Sequence, residues 1–284
     1  MKFSIIIPTY NNFNYLKFFL SSVKNNSVYN HQVILHINDG SDGTLNFAKE
    51  NDLLFTYTQK NIGLCSSLNK AANLVETDYI LYAHDDMFLC KNWDLYLESE
   101  IKKLPNNLFY LTGTNVSVNN GLINLDCGSS PENFNEAKFN KFCEEDSSKD
   151  LQGSHWAPHL IHKDLWNNIE GFSEEFNPGD GSDPDFCMKL WKQNVRIFKG
   201  VSKFKVYHFN SLTTRNDKII LNNGTRTFLS KYGFNPKFFR KHYLRGNNSV
   251  IPFKGRLNNP KKNFSMLLDL SINKIKYTIN KFRA

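Results

Sequence analysis

The residues best placed to do chemistry in this chain are His84, Asp85 and Asp86, which end the apolar run YILYA at positions 79–83. Two adjacent carboxylates at the end of a buried strand are costly unless a cation meets them. A divalent metal such as Mg²⁺ or Mn²⁺, with a phosphate on its far side, would be that cation, because hard oxygen ligands suit both ions. The alternative is an exposed turn, where Asp is common.

Strands and helices must position this group, and the first half of the chain alternates between them. The pattern predicts strands at 3–7, 33–37, 54–57 and 79–83, with helices at 14–23, 44–50 and 64–75. Such an alternation forms βαβ units and a mostly parallel sheet. Ligands bind beyond the carboxyl ends of parallel strands. Thr9-Tyr10-Asn11, Asp39 and Asp85-Asp86 all follow predicted strands, so we expect them at one edge of the sheet.

The second half is less regular. It predicts helices at 93–104, 163–168 and 183–193 and strands at 109–118, 157–161, 195–198 and 204–207. Residues 119–150 show no clear periodicity, and we interpret them as an insertion or flexible loop over the site. The tail is predicted to be mostly helical.

Composition limits the class of protein. The chain has 284 residues, 40% hydrophobic and 14% aromatic, which supports a packed core and excludes general disorder. No apolar run is long enough to span a bilayer. The five cysteines form no CxxC pair, which argues against a zinc site or a disulfide framework and favours a reducing, cytoplasmic location.

The net charge of +8 is distributed unevenly. Residues 201–284 contain eighteen Lys or Arg and only two acids, whereas the first 200 residues are net acidic. From Phe264 onward the tail carries an apolar stripe at helical spacing, with lysines elsewhere on the helix. This pattern predicts either association with an anionic membrane surface, at the inner face of the cell membrane, or packing against the domain or a second subunit of a homodimer. Nucleic acid is not expected as a partner, because no nucleic-acid motif accompanies the charge.

A series of segments in order along the first 210 residues resembles the family 2 glycosyltransferases of GT-A fold. The segments are SIIIPTYNN at 4–12, NDGSDGT at 38–44, KNIGLCSSLNKAANLVETDYILYAHDD at 60–86, GSHW at 153–156, EGFSEEF at 170–176, SDPDFCMKLWKQN at 182–194, and finally His208. The resemblance implies an α/β GT-A fold in a catalytic domain at 1–215. Residues 1–118 would bind the donor nucleotide and 119–215 the acceptor, and 216–284 would form a basic helical extension.

The resemblance also implies an activity. Such enzymes transfer a sugar from a nucleotide diphosphate donor, here preferably a UDP-sugar, to a hydroxyl of a glycan or lipid-linked acceptor, with inversion. Surface polysaccharide or lipopolysaccharide synthesis is the expected setting. Two other readings stay open: an inactive scaffold of the same fold that binds a glycan or nucleotide, and a nucleotidyltransferase, which would release pyrophosphate.

Residues that match the family's donor-binding segments follow from the same resemblance. Those expected to contact the donor are Pro8, Thr9, Tyr10, Asn11, Asp39, Asn61, Gly63, Asn69, His84 and Asp85. An Asp such as Asp39 can accept a hydrogen bond from a ring N–H of uracil. Two of these positions have structural alternatives, a helix-entry turn for Gly63 and a satisfied polar side chain for Asn69.

The family's Asp-x-Asp metal motif corresponds to His84-Asp85-Asp86, so this chain has His at the first position. The resemblance implies that Asp86 binds Mn²⁺ or Mg²⁺ directly, that Asp85 joins the metal site by orienting it or contacts the ribose, and that His208 is a further ligand. His84 would instead hydrogen-bond the ribose as a neutral imidazole.

The family's base motif corresponds to SDPDFCMKLW, where Asp183 occupies the position of the general base and Ser182 replaces the usual Glu. An unperturbed Asp has a pKa of about 3.9 and is ionised at pH 7. The alternative for Asp183 is a helix N-cap. Asp180 is the fallback base. Trp156, His155 and Asp185 are the expected acceptor-side residues, with a structural role as the alternative for Asp185.

Overall fold

The computed structural model describes residues 1–153, 156–210, 222–246 and 251–282. Its first half alternates strands and helices as the sequence predicts, and each element lies within a few residues of its expected position. The elements are β1 (Ser4–Tyr10), α1 (Phe13–Asn26), β2 (Gln32–Asn38), α2 (Thr44–Glu50), β3 (Leu54–Thr58), α3 (Leu64–Ala72) and β4 (Tyr79–Tyr82).

The second half completes the sheet and adds the helices of the tail. Its strands are β5 (Met87–Leu89), β6 (Phe109–Ser117), β7 (Ile123–Asn124), β8 (Leu151–Gln152), β9 (His159–His162) and β10 (Ile197–His208). Its α-helices are α4 (Trp93–Lys102), α5 (Glu136–Glu145), α6 (Lys163–Asn168), α7 (Ser182–Lys192), α8 (Gly224–Tyr232), α9 (Pro236–Phe239) and α10 (Phe264–Phe282). Short 3₁₀ turns lie at Pro131–Asn133 and Glu174–Phe176, and a π-helical turn at Arg240–Leu244 follows α9.

One sheet runs through the molecule in the order β3-β2-β1-β4-β9-β6-β10-β5. Strands β1 to β4 pair in parallel, and β6 pairs in parallel with β10. Strand β9 lies between β4 and β6 and is antiparallel to both. The expected α/β architecture, a mostly parallel sheet flanked by helices, is confirmed. In β1 the run Ile5–Ile7 is fully buried, as expected for a strand covered by helices on both faces.

Two predictions for the second half differ from the structure, the first of them only in its flexible-loop alternative. Residues 119–150 are not a flexible loop, because they contain α5, whose Phe139 is fully buried. Phe134, just before α5, packs against Phe88 and Tyr207 with ring centroids 4.8 and 5.0 Å apart. Aromatic packing on the sheet therefore orders a segment that has little periodicity of its own. The two short strands predicted at 195–207 are one strand, β10, which is bent by an irregularity in its pairing with β6.

The tail packs on the second half of the sheet. The Leu257 N–H donates to the Arg196 carbonyl at 2.8 Å, and the Phe253 N–H donates to the Asp150 carbonyl at 2.7 Å. Helix α8 begins against the loop that precedes α7, where the Gly224 N–H donates to Asp180 Oδ2 at 2.9 Å. Packing on the domain, one of the two readings of the tail, therefore holds for these segments. Over the ranges that the structure describes, every helix is too short or too polar to cross a bilayer.

Candidate active site

The topology brings the ends of distant strands to one edge of the sheet. Parallel pairing places the carboxyl ends of β1, β2 and β4 side by side. Strand β5 begins directly after Asp86 and runs antiparallel to β10, with Met87 opposite His208. The Phe209 N–H also donates to the Asp86 carbonyl at 3.1 Å. This backbone pairing carries His208 to the residues that follow β4.

A compact cluster of three possible metal ligands results. His84, Asp86 and His208 each offer one ligand atom, and these atoms lie within 4.8 Å of one another. His208 Nε2 lies 3.0 Å from Asp86 Oδ1, and His84 Nδ1 lies 4.0 Å from the same oxygen. The arrangement is partly buried, with Asp86 the least exposed of the three. Two imidazoles and a carboxylate that converge in this way fit a divalent cation.

Neighbouring side chains hold the two imidazoles. Tyr82 Oη lies 2.7 Å from His84 Nε2, and Asn115 Nδ2 lies 3.2 Å from His208 Nδ1. Burial, followed by the charge of His208, lowers the pKa of His84 to about 4. His84 is therefore neutral at pH 7, as a metal ligand must be. The buried Oδ1 of Asn115 has no hydrogen-bond partner among the described residues, so rotation of this amide would let it accept from His208 Nδ1–H.

The structure places His84 rather than Asp85 in the ligand cluster, the reverse of the roles that the family resemblance implies. Asp85 Oδ1 accepts a hydrogen bond from Asn12 Nδ2 at 3.0 Å. Burial and the adjacent Asp86 raise the pKa of Asp85, and Asn12 opposes that rise. Asp85 is thus held by the start of α1, next to the cluster but outside the three-residue set.

Asp183, the expected base, lies in the first turn of α7 and is half-buried. Gly181 rather than Asp183 occupies the N-cap, and Asp183 Oδ1 has no hydrogen-bond partner among the described residues. Burial raises the pKa of Asp183 to about 7, so the expectation of an unperturbed carboxylate is wrong. Burial and then the Asp183 charge raise the pKa of Tyr82, which places Asp183 near the tyrosine that contacts His84.

The expected nucleoside end lies at the carboxyl ends of β1 and β2. Asn11 Nδ2 donates to Asp39 Oδ2 at 2.8 Å, so these two residues form one polar unit. Both have positive φ, 45° for Asn11 and 62° for Asp39. Non-glycine residues in that region are uncommon and concentrate at functional sites. Pro8 and Thr9 precede them in β1, where Thr9 is buried, and Tyr10 ends the strand.

Three other expected donor contacts have structural roles here. Asn61 Oδ1 accepts from the Gly63 N–H at 2.9 Å, which shapes the turn into α3. A Cβ on Gly63, whose φ is 84°, would lie 2.5 Å from the side chain of Asn177. Asn69 bonds both backbone groups of Phe172, donating to its carbonyl and accepting from its N–H. The helix-entry turn and the satisfied polar side chain are therefore the readings that fit Gly63 and Asn69.

The expected acceptor side is only partly described. Asp185 is fully buried, and its carboxylate contacts Ser173 Oγ, Tyr232 Oη and Lys231 Nζ at 2.7, 2.6 and 2.9 Å. It therefore ties α7 to α8, and a role in contacting the acceptor does not fit its burial. Trp156 is half-buried with a φ of 61°. His155 lies outside the described residues.

Sequence reasoning missed the residues that support the site. Asn12, Tyr82 and Asn115 contact Asp85, His84 and His208, respectively. Asn177 accepts from the Cys65 N–H at 3.0 Å and so satisfies the start of α3. Tyr82 and Asn115 lie within apolar strands, and nothing in their spacing relates them to the histidines. Only their position near the carboxyl end of a strand could have indicated a role.

Solved structures share the fold of this chain. S. aureus TarS 1-349 in complex with UDP-GlcNAc is 16% identical with a TM-score of 0.56, over 82% of this chain and 64% of that one. GalNAc-T7 with UDP, GalNAc and Mn²⁺ is 14% identical with a TM-score of 0.56, over 73% and 44%. Likenesses this remote show the GT-A fold alone. In another solved structure of S. aureus TarS 1-349, this chain covers 60% of the length of that chain.

No curated protein matches the chain significantly. A family model, described as glycosyl transferase family 2, matches residues 4–157, which is more than half of the chain. The segments that first indicated the resemblance lie largely within this range, and Asp39 and the His84-Asp85-Asp86 group follow strands that it contains. Together with the fold, this match identifies the chain as a member of glycosyltransferase family 2.

Proposed function

We propose that this protein is a metal-dependent, inverting glycosyltransferase that transfers a sugar from a UDP-sugar to a hydroxyl of a glycan or lipid-linked acceptor. Synthesis of a surface polysaccharide or lipopolysaccharide is the proposed setting. The observation that carries the proposal is the cluster of His84, Asp86 and His208, with the half-buried carboxylate of Asp183 near Tyr82, the residue that contacts His84. The catalytic domain in this proposal is 1–215.

The donor is proposed to lie across the carboxyl ends of β1, β2 and β4. Asp39, positioned by Asn11, would accept a hydrogen bond from the uracil ring N–H. Two similar solved structures support a UDP-sugar as the donor, since TarS 1-349 was solved with UDP-GlcNAc and GalNAc-T7 with UDP. The diphosphate would then extend toward the three-residue cluster at the end of β4.

His84, Asp86 and His208 are the residues proposed to hold the metal. Mn²⁺ is favoured over Mg²⁺, because two imidazole nitrogens suit a transition metal better than a purely oxygen-preferring ion. When bound, the cation would neutralise charge on the leaving diphosphate. Tyr82 Oη would keep His84 Nδ1 available as a ligand by accepting a hydrogen bond from His84 Nε2–H. Asn115 Oδ1, after rotation of the amide, would accept from His208 Nδ1–H and leave His208 Nε2 available.

Asp183 is proposed as the general base. Its carboxylate would accept the proton of the acceptor hydroxyl as that oxygen attacks the anomeric carbon, while the bond to the diphosphate breaks. A pKa of about 7 suits the task, since the ideal base titrates near the working pH. The half-buried position on α7 would also limit access of water to the same carboxylate.

A screen of UDP-sugars with Mn²⁺ tests the proposal. We expect UDP and one or more UDP-sugars to raise the unfolding temperature only when Mn²⁺ is present, because ligand binding stabilises the native state. We also expect turnover of at least one UDP-sugar to UDP in the presence of a suitable acceptor. Release of pyrophosphate instead would identify a nucleotidyltransferase, and binding without turnover on any acceptor tested would favour the inactive scaffold.

A further inference from the structure

The C-terminal helix α10 packs on the rest of the protein through its more polar face. Asn273 is buried, and its Oδ1 accepts from the Asn235 N–H at 2.9 Å. Asn280 Nδ2 donates to Ser230 Oγ at 2.7 Å, which attaches the helix to α8. Asp269 contacts Lys241 Nζ at 2.6 Å and His242 Nε2 at 2.8 Å. These directional bonds determine which face of α10 points away from the protein.

The outward face is apolar, the reverse of the usual arrangement for a helix on a protein surface. Phe264 is 82% exposed and Ile275 is 63% exposed, and the spacing of the series puts its members on one side of the helix. This outward stripe consists of Phe264, Leu268, Ile272, Ile275 and Ile279. With Leu267 beside it, the helix supplies six of the ten large hydrophobic side chains exposed in the described part of the chain. A contiguous patch of this kind marks an interaction site.

Positive charge borders the stripe on both sides. At the angular spacing of an α-helix, Lys276 lies next to the Ile272 edge of the stripe. Lys274 and Lys281 lie on the other side, beyond Leu267, and all three lysines are exposed. Lys261 and Lys262 come just before the helix. Among residues 222–246 and 251–282 the only acid is Asp269, and its carboxylate is engaged by Lys241 and His242 on the inward side. The exposed part of α10 therefore has cationic and apolar groups, and its one acid is paired with Lys241 and His242.

We propose that the outward stripe of α10 docks the protein onto an anionic lipid bilayer, with the helix lying in the plane of the interface. The apolar side chains would enter the boundary between headgroups and acyl chains, and the flanking lysines would contact anionic headgroups. A second copy of the chain fits less well, because any pairing of two stripes would bring lysine flanks against lysine flanks. The inference goes beyond the proposed transfer reaction and does not depend on it.

The orientation of the protein on the bilayer follows from the contacts of α8. Helix α10 packs on α8, and α8 reaches the helix that carries Asp183 through Lys231 and Tyr232, which contact Asp185. A bilayer that binds α10 would therefore have a fixed orientation relative to α7.

Vesicle co-sedimentation of the full chain tests the docking. The vesicles are phosphatidylcholine alone and phosphatidylcholine mixed with phosphatidylglycerol. We expect binding to the mixed vesicles, weakened by added salt, and little binding to the neutral ones. The variant Ile272→Glu/Ile275→Glu should bind the mixed vesicles at least tenfold more weakly, because it puts charge into the stripe without touching an internal contact. Lys274→Glu/Lys281→Glu should weaken binding and reduce its dependence on salt.

A matched control is Val28→Glu/Leu54→Glu, which adds the same charge at two exposed apolar residues outside α10. It should bind like the unmodified protein, and thermal unfolding of every variant without vesicles shows that the fold is retained. Equal binding by the stripe variant and the control would overturn the proposal, as would absence of binding to mixed vesicles. Self-association without vesicles that Ile272→Glu/Ile275→Glu abolishes would overturn it in favour of a second copy. None of these measurements uses transfer activity, so the two proposals fail separately.

Discussion

His208 Nε2 lies 3.0 Å from Asp86 Oδ1, although Asp86 follows β4 and His208 ends β10. The backbone enforces this proximity, because Met87 pairs with His208 and the Phe209 N–H donates to the Asp86 carbonyl. The backbone pairing, and not only the side-chain conformations, therefore brings the two residues together. It makes β10, the last strand along the chain, part of the candidate metal site.

The three-residue cluster predicts that Asp86→Ala and His208→Ala each weaken Mn²⁺ binding strongly. Loss of a direct ligand should lower the affinity for Mn²⁺ by about a hundredfold or more. Even loss of a residue that only hydrogen-bonds a ligand typically lowers metal affinity by about 10–100-fold. Calorimetric titration of UDP with and without Mn²⁺ measures the effect. His162→Gln is the control, because His162 pairs with Tyr79 at the opposite edge of the sheet. If Mn²⁺ makes no difference to UDP binding by the unmodified protein, the cluster is not the metal site.

Asp183→Asn should abolish transfer while leaving UDP binding nearly unchanged. The amide keeps the shape of the side chain but cannot accept the proton, so kcat should fall by roughly 10²–10⁴. Initial rates and UDP affinity separate the two effects. Asp180→Asn is the matched comparison, because Asp180 lies close in sequence and its carboxylate accepts from the Gly224 N–H. Transfer that survives Asp183→Asn but not Asp180→Asn would reassign the base.

The raised pKa of Asp183 predicts a pH-dependent rate. The base form gains population as the pH rises through about 7, so kcat/KM should increase between about pH 6 and 8 and then level off. An unperturbed Asp would instead give a flat profile above about pH 5. The profile is measured with Mn²⁺ saturating at each pH. A flat profile across neutral pH would show that Asp183 is not the titrating base.

The same shift predicts an effect of Asp183 on stability. Its pKa is higher in the folded state, about 7, than the ordinary value of 3.8, so the folded state holds the proton more tightly. The contribution of this group to the free energy of unfolding is therefore present below about pH 4 and is lost as the pH rises to about 7. Asp183→Asn removes this penalty and should stabilise the protein at pH 8 by on the order of 2 kcal/mol, since the side chain is only half-buried.

Denaturant unfolding of the variant and the unmodified protein at pH 4 and pH 8 measures that difference. The two proteins should differ little in stability at pH 4, where the carboxyl is protonated in the folded state and about half protonated in the unfolded state. Equal stability at pH 8 as well would mean that the burial of Asp183 does not perturb its charge. The comparison between variants removes the contribution of other titrating groups such as Asp85.

The contact between the tail and the loop before α7 predicts that Gly224→Ala is strongly destabilising. A Cβ at this position would lie 1.9 Å from the Asp180 carbonyl oxygen and would force the two segments apart. Forced overpacking of this kind costs about 1–3 kcal/mol or more. The displacement should also lower transfer activity, because Asp183 follows the loop directly. Thermal unfolding and initial rates measure both effects.

Gly233→Ala is the control for that substitution. Gly233 has a φ of 76° but no heavy atom within 4 Å of an added Cβ, so only backbone strain opposes the change. Its cost should be about 1 kcal/mol, with activity retained. Similar stability and activity for both variants would show that the Gly224 contact does not support the site.

The sequence by itself determined the alternation of strands and helices in the first half and the residues at the carboxyl ends of β1, β2 and β4. These follow from local rules, since a buried parallel strand is mostly apolar and ligand-binding polar groups lie beyond its carboxyl end. The order of the segments was also enough to identify the family. The sequence placed Asp183 at the start of a helix, but it could not show that burial would raise the pKa of the carboxyl.

Only the tertiary structure decided which of these polar groups meet. Antiparallel pairing of β5 with β10 brought His208 to Asp86 and put His84 rather than Asp85 in the ligand cluster. Packing also assigned Gly63, Asn69 and Asp185 to structural roles, because their contacts come from residues distant in sequence. In α10 the sequence showed a stripe and its lysines, but which face points outward depends on the bonds of Asn273 and Asn280 to the rest of the tail. Contacts between residues distant in sequence leave no local pattern in the sequence. The folded sheet and tail are therefore needed to establish these roles.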